Sequence, residues 1–108
     1  MPDPLVSIAV LEPTTGHEED LLAVIHRLYF LMEAKGYSQN VLLRSRSSPV
    51  YFINIRYWAT EQSPQEAHDD PEVHRCWARL GQLCQIPRVH ESMDVVDWKN
   101  IAPDKAGC

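Results

Sequence analysis

Apolar and polar positions divide the chain into short runs of different period. Leu5 to Leu11 is apolar and β-branched and reads as a first strand, broken by Pro13 and Gly16. Thr15 and Glu18 have the spacing of a capping box. From Glu18 to Ala34, Leu21, Ile25, Leu28 and Met32 recur on one helical face, which Leu22, Val24, Tyr29 and Leu31 widen. Lys35-Gly36 ends that helix, with Gly36 suited to the left-handed C-terminal position. Gln39 to Ser45 reads as a second strand and Val50 to Trp58 as a third, joined as a hairpin across Ser47-Ser48-Pro49. Ser63 can cap a short helix that has Pro64 at its first position. Pro71 opens another helix reaching Cys84, with Val73, Cys76, Trp77, Leu80, Leu83 and Cys84 as its apolar stripe. Pro87 ends this region, and Val89 to Val96 reads as strand four.

The order is β-α-β-β-α-β. This predicts an α+β, ferredoxin-like domain, a four-stranded antiparallel sheet with its helices on one face. Residues 1–96 form the domain, and 97–108 are a C-terminal tail of weak pattern. The third strand is apolar or aromatic on both sides. Tyr51, Ile53, Ile55 and Tyr57 lie on one side, Val50, Phe52 and Trp58 on the other. The alternation of a half-solvated sheet is missing. A partner sheet covering the second face accounts for this, so a homodimer is expected. Phe30 lies opposite Leu21 on the first helix, on the side that should be wet. Trp98, on the tail, is within reach of it.

Composition narrows the function. Lys and Arg number 10 against 15 Asp and Glu, a net charge of -5, so the chain has no basic field for a nucleic-acid backbone. No apolar run approaches the roughly 20 residues that cross a bilayer. The N-terminal MPDPLVSIAV has no basic n-region and does not read as a signal peptide. Cys76, Cys84 and Cys108 have no CxxC spacing, and Cys76 and Cys84 lie too far apart along one helix for a disulfide. Reduced thiols and a cytoplasmic location are expected. No structural zinc spacing is present, and His74 and Cys76 point apart on a helix. No metal site is expected, and there is no recognisable cofactor motif.

The stretch YFINIRYWATEQSPQEAHDDP, from Tyr51 to Pro71, places an indole, an imidazole and two tyrosines near one sheet edge. That suggests an enclosed pocket for a flat organic molecule. With VSIAVLEP, TGHEEDLL, SSPVYFINIRYWAT and EAHDDPEV, the chain resembles the antibiotic biosynthesis monooxygenase-like family of the dimeric α+β barrel superfamily over about residues 5 to 96. Trp58, His68 and Pro71 match the family's strand-end tryptophan, Ala-His and proline-led helix. The resemblance implies two sheets packed back to back in a dimer, with a cavity between each sheet and its own helices. It also implies oxygenation of quinols or polycyclic phenols with no metal or flavin cofactor. A haem-degrading branch shares the fold, but its histidine, tryptophan and asparagine places correspond to Trp77, Ala67 and a first strand without asparagine. Haem chemistry is disfavoured.

Candidate residues follow, each with a plainer reading. His68 is the candidate proton acceptor, because imidazole exchanges protons near neutrality; otherwise it is a surface histidine. Trp58 can stack on a planar substrate, or sit in the core or dimer interface. Asn54, mid-strand, can bind a substrate oxygen or hydrogen-bond across the interface. Arg56 shares its face and reads as an interfacial salt-bridge partner. The resemblance puts Tyr51 and Tyr57 on the pocket face, each able to donate to a phenolate oxygen. Tyr29 and His26 flank the first helix stripe, Tyr29 with its hydroxyl at the rim. The first expectation is a cofactor-independent monooxygenase with a small aromatic ligand. The alternative is a non-catalytic dimeric ligand-binding or stress-response protein. Fold alone does not choose between them.

Overall fold

The computed structural model describes residues 5–96 of the 108-residue chain. The elements are β1 (Leu5–Pro13), α1 (Glu18–Ala34), β2 (Ser38–Arg44), β3 (Phe52–Trp58), α2 (Ser63–His68), α3 (Pro71–Leu83) and β4 (Cys84–Asp94). The strands form one antiparallel sheet in the order β2-β3-β1-β4, the ferredoxin-like arrangement. The expected β-α-β-β-α-β fold is therefore present. The tail and Trp98 lie outside the described residues, while Phe30 is exposed as expected.

Helix α1 has the expected bounds, and Leu21, Ile25, Leu28 and Met32 are all buried. It closes through a Schellman motif. The Tyr37 N–H donates to the Met32 carbonyl (2.9 Å), the Gly36 N–H donates to Glu33 (3.1 Å), and Gly36 takes φ +75°. Its start differs from expectation. Thr15 makes no cap; Gly16, at φ +83°, turns the chain so that the His17 N–H donates to the Thr14 carbonyl, and His17 becomes the boundary residue. Glu18, Glu19 and Asp20 then supply negative charge to the first turn.

Ser63 lies inside α2 rather than capping it. Thr60 Oγ1 accepts from the Ser63 N–H (3.1 Å), and Ser63 Oγ accepts from the Thr60 N–H (3.0 Å). Cys84 is the first residue of β4, not the end of a helix shared with Cys76. Strand β4 thus begins five residues before the expected Val89 and takes in Pro87. An edge strand tolerates proline because one side of its backbone is unpaired.

The largest correction concerns the two faces of β3. Phe52, Asn54, Arg56 and Trp58 are buried beneath the helices, while Tyr51, Ile53, Ile55 and Tyr57 are on the open side. The helix-facing residues join two apolar clusters. Phe52 packs with Leu11, Leu21, Ile25, Leu80 and Leu83; Trp58 packs with Leu28, Met32, Ala67 and Val73. The isoleucines are the more apolar set, but their face is left to Val41 and Leu43 of β2, which are exposed.

Asp70 ties the helices together. Its Oδ1 caps α3 by accepting from the Glu72 N–H (2.9 Å), and its Oδ2 accepts from Lys35 Nζ (2.7 Å) and the Tyr37 hydroxyl (2.8 Å). These bonds to Lys35 and Tyr37 hold its carboxyl well below the usual carboxylate range. A depressed carboxylate stabilises fully above its unfolded value near 4, and the benefit is lost as pH falls through the folded value. Asp70→Ala is therefore expected to lower Tm at neutral pH, and Asp70→Asn to lower it less because an amide oxygen still caps. The gap between wild type and Asp70→Ala narrows as pH drops below about 4. Thermal melts followed by circular dichroism check this, and a gap independent of pH would contradict it.

Candidate functional site

A cavity of about 580 Å³ opens between the helix face of the sheet and α2 and α3. Ala9 and Ser7 of β1, Asn54, Arg56 and Trp58 of β3, His68 of α2 and Trp77 of α3 line it. A smaller space of about 170 Å³ adjoins it over Asn54, Arg56 and Trp77 and reaches Tyr29, Leu28 and Leu80. The space lies between the two apolar clusters, where β3 presents Asn54 and Arg56 in place of apolar residues. Both polar groups are nearly buried, Asn54 at 7 % and Arg56 at 8 % exposure.

Each is held from one side. The Tyr29 hydroxyl donates a short hydrogen bond to Asn54 Oδ1, which leaves the Asn54 amide nitrogen without a partner among the described residues. Burial pushes the Tyr29 phenol up to about 12, so it stays a donor across the physiological range. Arg56 Nε donates to Asn40 Oδ1 (2.9 Å), and its guanidinium lies 5.4 Å from the Trp58 ring centre. Burial lowers the Arg56 guanidinium to about 10, and it remains a cation at neutral pH. Trp58 is fixed in turn: its Nε1–H donates to Ser7 Oγ (2.8 Å), and Ser7 donates to the Glu91 carbonyl.

Trp58 of β3 and Trp77 of α3 supply the aromatic part of the cavity lining. His68, which lines the cavity, meets His74 edge to face with ring centres 4.8 Å apart and lies 6.3 Å from Trp77. His68 is exposed and makes no hydrogen bond within the described residues. The predicted residues are therefore only partly brought together. Asn54, Trp58 and His68 line the main cavity, and Tyr29 lines the adjoining space. Tyr51 lies elsewhere, in a surface hollow with Glu12, Ser47 and Gln85. Tyr57 borders a separate groove with Gln39 and Ala59, and His26 is exposed on α1. The expected pocket face of β3 was the wrong one, so its two tyrosines do not reach this cavity.

Arg56, Trp77, Ser7 and Ala9 are among the lining residues whose part in the cavity the sequence reading missed. Arg56, expected as an interfacial ion-pair partner, instead faces the helices and makes no ion pair among the described residues. Its signal was present: Asn54 and Arg56 alternate with isoleucines and fall in register with Phe52 and Trp58. Among the described residues, no group of three or more His, Cys, Asp or Glu is placed to hold a metal ion. No described helix is long and apolar enough to cross a membrane.

The same architecture recurs in solved proteins. A Chloroflexus aurantiacus protein assigned as an antibiotic biosynthesis monooxygenase superposes with a TM-score of 0.74 at 17% identity, over 92% of this chain and 99% of its own. SnoaB, a cofactor-independent oxygenase from Streptomyces nogalater, superposes in the form of a point variant at 0.73 and 14% identity, over 87% of this chain and 97% of its own. A Nitrosomonas europaea protein with the same monooxygenase assignment gives 0.76 at 10% identity, over 89% and 93%. The chain has the antibiotic biosynthesis monooxygenase fold. No family model matches the sequence, and no curated protein does. At these identities the likeness establishes the fold, and the chemistry rests on the residues within it.

On this fold, the Tyr29–Asn54 bond is what orients the cavity amide. Tyr29→Phe strips the partner from a nearly buried amide oxygen and is expected to cost about 1–3 kcal/mol. Denaturant unfolding measures this, and a loss under about 0.5 kcal/mol, within the range of ordinary surface substitutions, would show that the bond does not hold Asn54.

Proposed function

We propose that this protein is a cofactor-independent monooxygenase acting on a quinol or polycyclic phenol in the cavity between sheet and helices. One observation carries the reading: two buried donor groups, Asn54 and Arg56, look into a space walled by Trp58 and Trp77. Likeness of fold to SnoaB, itself a cofactor-independent oxygenase, supports it.

In this chemistry the substrate is the reductant. Loss of a proton from a phenol or an activated CH₂ gives a delocalised anion. Oxygen bonds at that carbon, and departure of water leaves a carbonyl, so that CH₂ and O₂ become C=O and H₂O. The protein binds the flat ring, receives the proton and stabilises the oxyanion in a site of restricted water. Asn54 and Arg56 are the proposed oxyanion donors, Trp58 and Trp77 hold the ring, and His68 is the proposed proton acceptor. Its ring lines the cavity with no hydrogen bond to compete for its nitrogens among the described residues.

Oxygen uptake with a panel of quinols and anthrone-like phenols tests the reading. Asn54→Ala is expected to lower kcat/KM by about 10²–10³-fold, and His68→Ala by at least about 10²-fold. Equal rates in His68→Ala would remove it from the mechanism. Binding without uptake across the panel would favour a ligand-binding protein on the same fold.

The proposal includes a homodimer joined through the open face of the sheet. Ile8 and Val10 of β1 stand opposite Ile55 and Ile53 of β3, and Val41, Leu43 and Met93 extend this surface with 40–46 % exposure. A contiguous apolar surface of this kind is uncommon on a monomer. Light scattering is expected to give twice the chain mass, and Ile55→Asp, at the centre of the face, to give one chain mass. A wild-type monomer at micromolar concentration would refute the dimer.

A further inference from the structure

The cavity's polar groups are all of one kind at its base. The Asn54 amide oxygen is taken by Tyr29, so the amide offers only N–H groups. The Trp58 indole N–H is spent on Ser7, whose own hydrogen goes to the Glu91 carbonyl. The Arg56 Nε is spent on Asn40, and its two terminal nitrogens have no partner among the described residues. Among the described residues no fully buried side-chain nitrogen or oxygen lacks a partner, so these terminal nitrogens are reached from open space, and Arg56 lines both cavities.

Among the described residues Arg56 is also a buried cation without a carboxylate. The ion pairs among the described residues join His17 to Asp20, Arg27 and Lys35 to Glu72, Lys35 to Asp70, and Arg44 to Glu18; none includes Arg56. Glu91 also lines the cavity, at its exposed side, and makes no ion pair with Arg56. A buried, unpaired charge is costly and is retained where a bound counter-charge offsets it. Guanidinium presents paired donors that match a carboxylate or another anionic oxygen.

We infer that the occupant of this cavity carries an anionic oxygen, a carboxylate or an ionised phenol, at the end that reaches Arg56 and Asn54, with a flat apolar body against Trp58 and Trp77. The inference rests on the cavity being the substrate site and narrows the substrate to acidic aromatics. Neutral quinols of the same size are then poor ligands.

Calorimetric binding with matched probes at neutral pH tests it. The pairs are naphthoate with naphthamide, and dinitronaphtholate with its neutral methyl ether. Against wild type, at least one anion is expected to bind about 10–100-fold more tightly than its neutral partner, the range of a charge-assisted hydrogen bond. Preference within the first pair indicates a carboxylate, and within the second a phenolate. Arg56→Met is expected to abolish the preference and Arg56→Lys to keep part of it, with melting temperatures as the control for folding. Equal binding within both pairs, or an undiminished preference in a folded Arg56→Met, overturns the inference. If Arg56→Met does not fold, the wild-type pairs and Arg56→Lys decide. Binding is read without turnover. Anion preference without oxygen uptake keeps this inference and removes the monooxygenase, whereas uptake of neutral quinols with no anion preference does the reverse.

Discussion

The structure turns on two polar side chains that β3 places under the helices. Phe52 and Trp58 belong to two apolar clusters, and Asn54 and Arg56 stand between them on the same face. An apolar pair there would let the clusters merge into one core. An amide and a guanidinium cannot be packed against hydrocarbon without partners. Tyr29 reaches down from α1 to satisfy one, and Asn40 reaches across from β2 to satisfy the other. Among the described residues each is met on one side only, and the unmet side is the cavity.

The surrounding framework keeps that gap from collapsing. The end of α1 is locked to the start of α3 through Lys35, Tyr37 and Asp70, which fixes the spacing of the helices over the sheet. Trp58 is tethered to Ser7 of the neighbouring strand, so the indole stays as a wall and does not swing into the space. The sheet's outer face has the opposite character. Its isoleucines and valines have no polar demands, and Val41, Leu43 and Met93 are exposed there. One sheet therefore has a polar need on the side that is buried and an apolar need on the side that is open.

Much of the fold was readable from local pattern. The bounds of α1 follow from its apolar spacing and from Gly36, because a long amphipathic period and a left-handed terminator are properties of neighbouring residues. The order of elements follows similarly. Local starts were less legible. Thr15 and Ser63 are good capping residues by type, yet Gly16 and Thr60 decide where the chain turns. The start of β4 was hidden because Pro87 signals a break wherever both sides of a strand are paired, and here one is free.

The residues themselves determined a ferredoxin-like sheet, a third strand with isoleucines and tyrosines along one side, and the presence of Asn54, Trp58 and His68 in one stretch. Which side of β3 meets the helices was decided only in three dimensions. Period two tells which residues share a face and not which face is inside. Hydrophobicity favoured the isoleucines, but the distant hydroxyl of Tyr29 and the amide of Asn40 make burial of Asn54 and Arg56 possible. That long-range satisfaction moved Tyr51 and Tyr57 away from the cavity and brought Arg56 into it.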